Sequence, residues 1–492
     1  MLYQRLANDL VANIQQGVYR PGERLPSVRQ LARQRGVSVS TAVSAYQHLE
    51  ATGLVTTREK SGIYVAVPSQ PHIQTPEPNR GSQPTQLQMS DTIARIFAQN
   101  RQPGRIHFDL AVPSPALQPA AQLKAAANRV LRHQFNDSLT LYPSPGDQEL
   151  RRLIAQRMLS SGCRVDAEEI VITNGCQEAL LISLQSLTRP GDVVAVETPC
   201  YYGFLQALES LGLTVVSIAT DAVSGLDVQA LEAALQRWPI RVCLCSPSFS
   251  NPTGACMSEQ ARKELVALAQ QHDFYLIEDD IFGELAHGTL MEKAEAKGVA
   301  GTGDLQRPKP RPRPLRAFDR DGRVIYCSSF SKSLSPGLRL GWVAAGKHRL
   351  RVMERQRAST TGTSTLQQLQ VRDYLKSGHF DKHLARVGRV YRSNIQRTLT
   401  VVAEAFPEGT HATCPQGGFV VWISLPNSGP DTLTLLDMAQ EEGICFVPGQ
   451  VFGLQGLEYC LRISVAQLWT EELEGALRSL GRLAGYPSGK SD

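Results

Sequence analysis

One lysine, Lys332, stands among small hydroxyl residues in the run SSFSKSLSPGLRLGW, Ser328–Trp342, with Arg339 seven positions after it. A protonated lysine is a poor nucleophile, but burial among neutral groups releases its proton and frees the amine to form an imine with an aldehyde. Ser329 and Ser331 are short hydroxyl donors, and Arg339 carries the planar fork of N–H groups that suits a phosphate dianion. An aldehyde that is also a phosphate ester points to pyridoxal phosphate. The run taken alone is equally that of a solvated serine-rich turn, so the rest of the chain has to decide.

Four further stretches carry compatible chemistry. After Ile170-Val171-Ile172-Thr173 comes Asn174-Gly175-Cys176-Gln177-Glu178-Ala179-Leu180, a turn feeding a helix whose free N–H groups and positive dipole end make a phosphate cradle. In ETPCYYG, Tyr201 is placed to lay its ring on a flat heteroaromatic cofactor, and in SPSFSNPTG, Asn251 sits in a turn bounded by Pro and Gly. Glu278, Asp279 and Asp280 follow Tyr275-Leu276-Ile277, and one buried carboxylate there can keep a pyridine nitrogen protonated. Each has an ordinary structural use, as a turn, a core ring or a helix cap. In chain order they run cradle, aromatic, Asn, Asp, Lys, Arg, which is one constellation.

Positioning these residues requires a sheet. Short β-branched segments at Ile170–Ile172, Val193–Val196, Val215–Ile218, Val242–Cys245, Tyr275–Ile277 and Val324–Tyr326 alternate with helical patterns from Arg105 onward. Strands separated by helices imply right-handed crossovers and a mostly parallel sheet covered on both faces. Ligands of such sheets bind beyond the carboxyl ends of the strands, where the polar residues above fall.

At 492 residues the chain is long enough for roughly two to four domains. A net charge of only +5 excludes a general polycation, so any nucleic-acid contact is local. Ten cysteines without metal-type spacing, Cys243 and Cys245 alternating as in a strand, are those of a reduced, cytoplasmic protein. The start MLYQRLANDL is neither a signal peptide nor a span, and no apolar run reaches the ~20 residues that cross a bilayer, so no membrane partner is expected.

The charge is concentrated at the start. Met1–Pro68 holds eight basic residues against four acidic ones. Leu2, Leu6, Leu10 and Ile14 recur at helical spacing up to Gln16, Gly17 ends that helix, and Pro21-Gly22 turns the chain. Ser27 begins a second helix, with Gln30 as the partner in a capping box, Val28, Leu31 and Ala32 facing inward, and Gly36 as the stop. A third helix runs from about Ser40 to Ala51, with Val43, Tyr46 and Leu49 on its apolar side and Ser40, Thr41, Ser44 and Gln47 on the others. Two short helices joined by a tight turn, the second with a small polar N-terminal face, suit a DNA major groove. A β-ribbon, 55–58 and 63–67, should follow, joined by Glu59-Lys60-Ser61-Gly62, whose lysine and glycine permit close approach to a phosphate backbone. A generic three-helix interaction module fits the composition as well.

The motifs PGERLPSVRQLA, GVSVSTAVSAYQHLEATG and SGIYV narrow this, for they resemble the winged helix-turn-helix domain of GntR-type regulators across Met1–Ala66. The resemblance implies Arg29, Ser38, Ser40, Thr41 and Ser44, with Lys60 and Gly62 in the wing, as contacts to double-stranded promoter DNA. Many members carry an arginine where Val39 stands, so their operator preference does not transfer. Residues 69–104 read as a linker: the run VPSQPHIQTPEPNRGSQPTQ has too little hydrophobicity for a core and should be an extended tether, and Met89–Gln99 is placed for a short helix around Ile93 and Ile96 able to dock on one of the domains.

Residues 105–492 resemble a fold-type I, pyridoxal-phosphate-dependent aminotransferase of class I/II, an α/β domain with a large and a small lobe. By that resemblance Lys332 carries the internal aldimine, Asp279 bonds the pyridine nitrogen, Asn251 the ring oxygen, and Tyr201 stacks on the ring. Cys176, Gln177, Ser329, Ser331 and Arg339 hold the phosphate, and Tyr142, in LYPSPGDQELR, reaches it from a neighbouring subunit, which implies a homodimer. Arg462, in LRISVA, grips a substrate or effector carboxylate. The family often has a tyrosine two or three positions after the aspartate, where Ile281 and Phe282 stand, which leaves control of the imine in doubt. Leu290–Pro314, ending in RPKPRPRP, reads as an insertion in a solvated surface loop.

The whole is thus a multidomain chain, a winged helix (1–68), a linker (69–104) and an aminotransferase-like domain (105–492), and it resembles the MocR-type regulators of transcription. The implied function is a DNA-binding regulator that senses pyridoxal phosphate, or a small amine or amino-acid effector, through Lys332; the alternatives are a working aminotransferase with an attached DNA-binding domain, and a regulator whose second domain has lost its cofactor. No metal site is expected.

Overall fold

Helix α1 (Leu2–Gln15) buries Leu6, Ala7 and Leu10 against two shorter helices, α2 (Val28–Arg35) and α3 (Val39–Ala51). The capping signal at Ser27 works as the sequence requires: its Oγ accepts from the Gln30 N–H, and Gly36 closes α2 in the left-handed conformation. On α3 the buried stripe is Ala42, Ala45, Tyr46 and Leu49, while Val43 is only half-buried, so the apolar side lies one residue round from the expected one. Tyr46 anchors α3 by donating to the Pro26 carbonyl at 2.5 Å. Strands β1 (Val55–Arg58) and β2 (Gly62–Val65) form the antiparallel ribbon, Val55 opposite Val65.

The computed structural model describes residues 2–15, 19, 23–51, 54–58, 62–65, 83–89, 93–94, 96, 104–287 and 311–486. Lys60 and most of the linker and insertion lie outside them. The chain divides into two units, Met1–Pro71 and His72–Asp492. The stretch around Ile93 and Ile96, expected as a short helix able to dock on a domain, packs on the second unit. Thr85–Gln86 (β3) pairs with a sheet edge, Leu87 is buried, and Ile93 and Ile96 join the core of the second unit. The physical reason is composition: low hydrophobicity holds only for the proline-rich run, and Leu87, Met89, Ile93 and Ile96 supply an apolar face that packs.

In the second unit β4 (Ile106–His107) is followed by β5 (Ile170–Thr173), β6 (Val193–Thr198), β7 (Thr214–Asp221), β8 (Gly225–Leu226), β9 (Ile240–Cys245), β10 (Tyr275–Asp279), β11 (Val324–Ser329) and β12 (Gly341–Ala344). The large sheet has the order β3-β7-β6-β9-β10-β11-β12-β5, with β8 paired to β7. The six strands expected from sequence are all present, and the neighbours from β7 through β6, β9 and β10 to β11 run parallel. Strand β12 is an addition to that expectation; it lies antiparallel between β11 and β5. Alternation divides each strand between two cores: Val242 and Leu244 face one side, Cys243 and Cys245 the other. A smaller antiparallel sheet, β13 (His411–Ala412), β14 (Val420–Ser424), β16 (Val447–Pro448) and β17 (Cys460–Ser464), with β15 (Ile444–Cys445) paired to β4, builds the second lobe against the long helix His379–Ala405 and Glu471–Ala484. Among the described residues no helix is long and apolar enough to cross a membrane, and no group of three or more His, Cys, Asp or Glu is placed to hold a metal.

Candidate functional site

Three acidic residues at the end of β10 are all buried, and strand alternation gives them different tasks. Glu278 accepts from the Leu315 and Arg316 N–H groups at 2.8 and 3.1 Å. Asp280 accepts from the Tyr326 hydroxyl at 2.8 Å and from Arg311 at 2.9 Å. Asp279 points the other way, where the Cys176 thiol donates to its Oδ1 at 3.4 Å. Burial pushes the Asp279 carboxyl up to about 7, against the lowering effect of the Cys176 bond. Of the three it is the one free to take a cationic ring nitrogen.

Lys332 lies in the turn after β11. Its Nζ donates to the Ala111 carbonyl at 2.7 Å. Burial, reinforced by the nearby Arg462 guanidinium, brings its amine down to about 8, while Asp279 acts in the opposite sense and Arg339 in the same one. These four groups therefore share one electrostatic neighbourhood. Arg462, on β17, is 1% exposed and donates to the Asp109 carbonyl. Burial lowers its pKa, its Cζ lies 5.7 Å from the centre of the Phe452 ring, and its Nε has no protein partner.

Cys176 opens helix α4 (Cys176–Leu187), with Gly175 as its N-cap. Gly175 has φ +80°, and a Cβ there would stand 2.8 Å from Arg339, whose Nη2 donates to the Asn174 carbonyl at 3.3 Å. The register aligns Thr173 with Gly341 and Gly341 with Ser329, so the ends of β5 and β11 flank one strand. Gly341 has to be glycine: a Cβ would lie 2.9 Å from the Cys176 nitrogen, at the mouth of the cradle. Ser329 and Ser331 are buried there, the Ser331 N–H 3.4 Å from Ser329 Oγ. Gln177 is at the helix start as expected, but its Nε2 is engaged by the Gly203 carbonyl at 2.9 Å.

Tyr201 caps helix α5 (Tyr202–Ser210), its ring edge-on to Phe204 and tilted on Tyr202 at 4.6 Å. Asn251 is buried with its Oδ1 unpartnered. Tyr142 is partly exposed, and its backbone N–H donates to Thr365 Oγ1 at 3.2 Å. The positions after Asp279 are used for packing: Phe282 lies edge-on to Phe419 at 5.1 Å in the small-lobe core.

Several residues escape a reading of the sequence. The carbonyls of Asp109 and Ala111 engage Arg462 and Lys332 respectively, and backbone groups leave no trace in residue type. Tyr202, beside Arg462, is visible as the second tyrosine of ETPCYYG. Arg311, at the end of the basic proline-rich run, is not on a solvated loop. It is 16% exposed, paired with Asp280 at 2.9 Å and with Glu284 at 3.5 Å. The neighbouring Arg313 carbonyl accepts from the buried Arg262. The correction follows from charge: two buried carboxylates need cations, and this run supplies one.

In the first unit Arg29 is exposed on α2, and Ser38 and Ser40 are exposed at the start of α3, with Thr41 and Ser44 half-buried. Ser38 Oγ accepts from the Thr41 N–H at 3.1 Å and lies 2.9 Å from Ser40 Oγ and 2.7 Å from Thr41 Oγ1. These hydroxyls thus begin as a helix cap. Gly62, the wing position, is approached by Arg24, which would come within 2.7 Å of a Cβ there. Lys60 lies outside the described residues.

Residues 108–480 match the family described as aminotransferase class I and II, and residues 2–65 the bacterial regulatory proteins of the gntR family. Two relatives from Escherichia coli K12 align end to end. The uncharacterized HTH-type transcriptional regulator YjiR is 35% identical over 97% of this chain and 98% of its own. The likewise uncharacterized HTH-type transcriptional regulator YdcR is 37% identical over 98% of each. The chain belongs to the MocR-type transcription regulators. Among solved structures it is similar to LysN, an α-aminoadipate aminotransferase from Thermus thermophilus solved with N-(5'-phosphopyridoxyl)-L-leucine. The TM-score is 0.69 at 31% identity, covering 81% of this chain and 98% of that one. The second unit of this MocR-type protein therefore has the fold-type I aminotransferase fold, and the cofactor of that family is pyridoxal phosphate. The residues present fit it: a buried carboxylate opposite a helix-start cradle, a lysine with a weakly held proton, and a buried amide with an unpartnered oxygen.

Proposed function

We propose that this MocR-type regulator binds promoter DNA through α2, α3 and the β1–β2 wing, and that the occupancy of the Lys332 site sets how it does so. The observation that carries this is the convergence of Lys332, Asp279 and Arg462 in one buried neighbourhood, on a chain that begins with a gntR-type unit. When bound, pyridoxal phosphate supplies an aldehyde carbon and an electron-withdrawing ring. Lys332 would offer it an amine whose proton burial loosens. Asp279 would hold the proton of the ring nitrogen, Asn251 would bond the ring oxygen, and Tyr201 would cover one face and keep water out. The N-terminal N–H groups of α4, with Ser329, Ser331 and Arg339, would take the phosphate oxygens.

Arg462 gives the site its preference for a carboxylate-bearing amine or amino acid. Such a ligand would exchange the Asp109 carbonyl for two charge-assisted bonds, a difference that favours one arrangement of the lobes over the other. Lys332 and Arg462 stand on different lobes, so a ligand touching both couples its binding to their closure. Phe282, where a tyrosine would tune the amine, favours sensing over turnover. The working form is a homodimer in the cytoplasm: Leu131, Phe135, Leu139 and Leu141 are 44–71% exposed and run directly into Tyr142, an apolar face that a second copy would cover.

The test is fluorescence anisotropy of the full-length protein on a duplex selected from a random pool, with and without pyridoxal phosphate and amino acids. A change in affinity of about tenfold, ~1.4 kcal/mol, between cofactor-loaded and cofactor-free protein is expected. It should be absent in Lys332→Ala. Steady transamination with DNA affinity indifferent to cofactor, amino acids and Lys332→Ala would instead establish a working aminotransferase.

A further inference from the structure

We propose that Arg262 is a positioning residue that fixes the hairpin presenting Asn251 to the cofactor; this rests on the ring-oxygen role given to Asn251 above. Arg262 lies on the helix Glu259–Gln271 and is 1% exposed. A buried guanidinium is usually matched by a carboxylate. Here the donors go to one short loop instead. Nε donates to the Met257 carbonyl at 3.0 Å, Nη1 to Ser248 Oγ at 3.1 Å, and Nη2 to the Pro247 carbonyl at 2.6 Å and to Cys256 Sγ at 3.6 Å. The remaining N–H, on Nη1, reaches the Arg313 carbonyl at 3.2 Å.

Pro247-Ser248 and Cys256-Met257 are the two legs of a hairpin. Ser248 and Cys256 bridge antiparallel, the Met257 N–H donates to the Pro247 carbonyl at 2.9 Å, and the Ser250 N–H donates to the Ala255 carbonyl at 2.9 Å. Asn251 stands at the tip and Arg262 at the base, so one planar group pins both legs. The hairpin needs such a clamp. Phe249 has φ +55°, a left-handed conformation that a bulky side chain keeps only where its surroundings hold it. Asn251 follows two residues later, 5% exposed, with its Oδ1 unpartnered. Turned about its last bond, that amide can give an N–H to a ring oxygen. Released at its base, the hairpin would relax at Phe249 and carry the amide away from that oxygen. An arginine used for packing alone would not have its whole fork committed on either side of a single cofactor ligand. Lysine keeps the charge and most of the volume, but its donors leave from one point and cannot span both legs.

A donor on the ring oxygen draws off negative charge that otherwise holds a proton on the nitrogen joining Lys332 to the cofactor. Losing the donor therefore raises the pH at which that proton leaves. The experiment titrates the visible absorbance of the full-length, cofactor-loaded protein against pH and measures its dissociation constant for pyridoxal phosphate by equilibrium dialysis. Arg262→Lys is expected to raise the midpoint by about one unit and to weaken cofactor binding about tenfold, as for the loss of one hydrogen bond to a charged oxygen. Asn251→Ala should do the same, and the double variant should match Asn251→Ala alone, because Arg262 acts through Asn251. Ser248→Ala removes a single acceptor of the clamp and should weaken binding about threefold, which keeps the test open if Arg262→Lys folds poorly. The proposal is overturned if both variants stay within about 0.2 unit and about 1.5-fold of the parent, or if their effects add in full to those of Asn251→Ala. An Asn251→Ala variant that itself moves neither readout would refute the ring-oxygen role, and the proposal with it.

Discussion

Replacing Arg311 by methionine tests the claim that the basic proline-rich run ends as an internal counter-ion. Asp280 is almost fully buried, its Oδ2 served by the Tyr326 hydroxyl and Arg311, its Oδ1 by no protein group. Glu284 would keep Arg157, at 2.8 Å, so the loss falls on Asp280. Methionine preserves much of the volume and leaves a buried carboxylate without its cation, which costs about 3–5 kcal/mol. With a urea m-value of about 4 kcal/mol/M for a unit of this size, the midpoint should fall by about 1 M. All four tryptophans, Trp238, Trp342, Trp422 and Trp469, lie in the second unit, so intrinsic fluorescence follows that unit alone. Adding Asp280→Asn should recover roughly half of the loss, because the neutral amide still accepts from Tyr326 and no charge is stranded. A fall below about 0.3 M in Arg311→Met, or a double variant less stable than the single one, would refute the reasoning.

Three further outcomes are expected. The rate at which cofactor-free protein takes up pyridoxal phosphate, followed by visible absorbance, should rise about tenfold per pH unit and level off above about 8, because burial disfavours the ammonium form of Lys332. At pH 7 about a tenth of Lys332 is then free amine, against less than a thousandth for an ordinary lysine, and a midpoint near 10 would contradict the burial argument. Cys176→Ala removes the thiol that lowers the Asp279 pKa, so cofactor affinity should fall several-fold, ~1 kcal/mol, while Cys176→Ser retains it; equal affinities in an equilibrium titration would count against that link. Arg29→Ala should weaken DNA binding and reduce the slope of log affinity against log salt by about one, and an unchanged slope would remove Arg29 from the interface.

Side-chain chemistry at strand ends is legible in advance, and so are the strands, because β-branched runs bounded by turns recur there. The capping of α2 by Ser27 is legible for a similar local reason. What the sequence does not disclose is nonlocal. Strand β12 begins within the lysine stretch itself and pairs locally with β11, but its insertion beside β5 depends on a pairing, Gly341 with Thr173, made across more than a hundred residues. The Asp109 and Ala111 carbonyls are invisible because every residue has one. Arg311 is misleading in sequence because a proline-rich basic run is solvated unless a buried acid claims it, and Asp280 gives no sign of being on the inner face until strand alternation is fixed by the register.

That alternation also governs the positions after Asp279, where Ile281 and Phe282 stand in place of a tyrosine. Asp279 faces the cofactor side, yet the chain leaves the strand at once: Ile281 packs against both the sheet core and the small-lobe core, and Phe282 enters the latter against Phe419. A hydroxyl at Phe282 would have no place in that packing, since a polar group buried among apolar rings without a partner is costly. The residue that could have tuned the amine instead fastens the end of β10 to the small lobe. A change in what Asp279 holds is therefore two residues from a core that also carries Val420, Val421 and Ile463, neighbours of Arg462 in its sheet. The connection is short and made of packed side chains, which move as a body and do not yield gradually. Under the proposed sensing role, such a connection would carry a change at Asp279 into the small lobe.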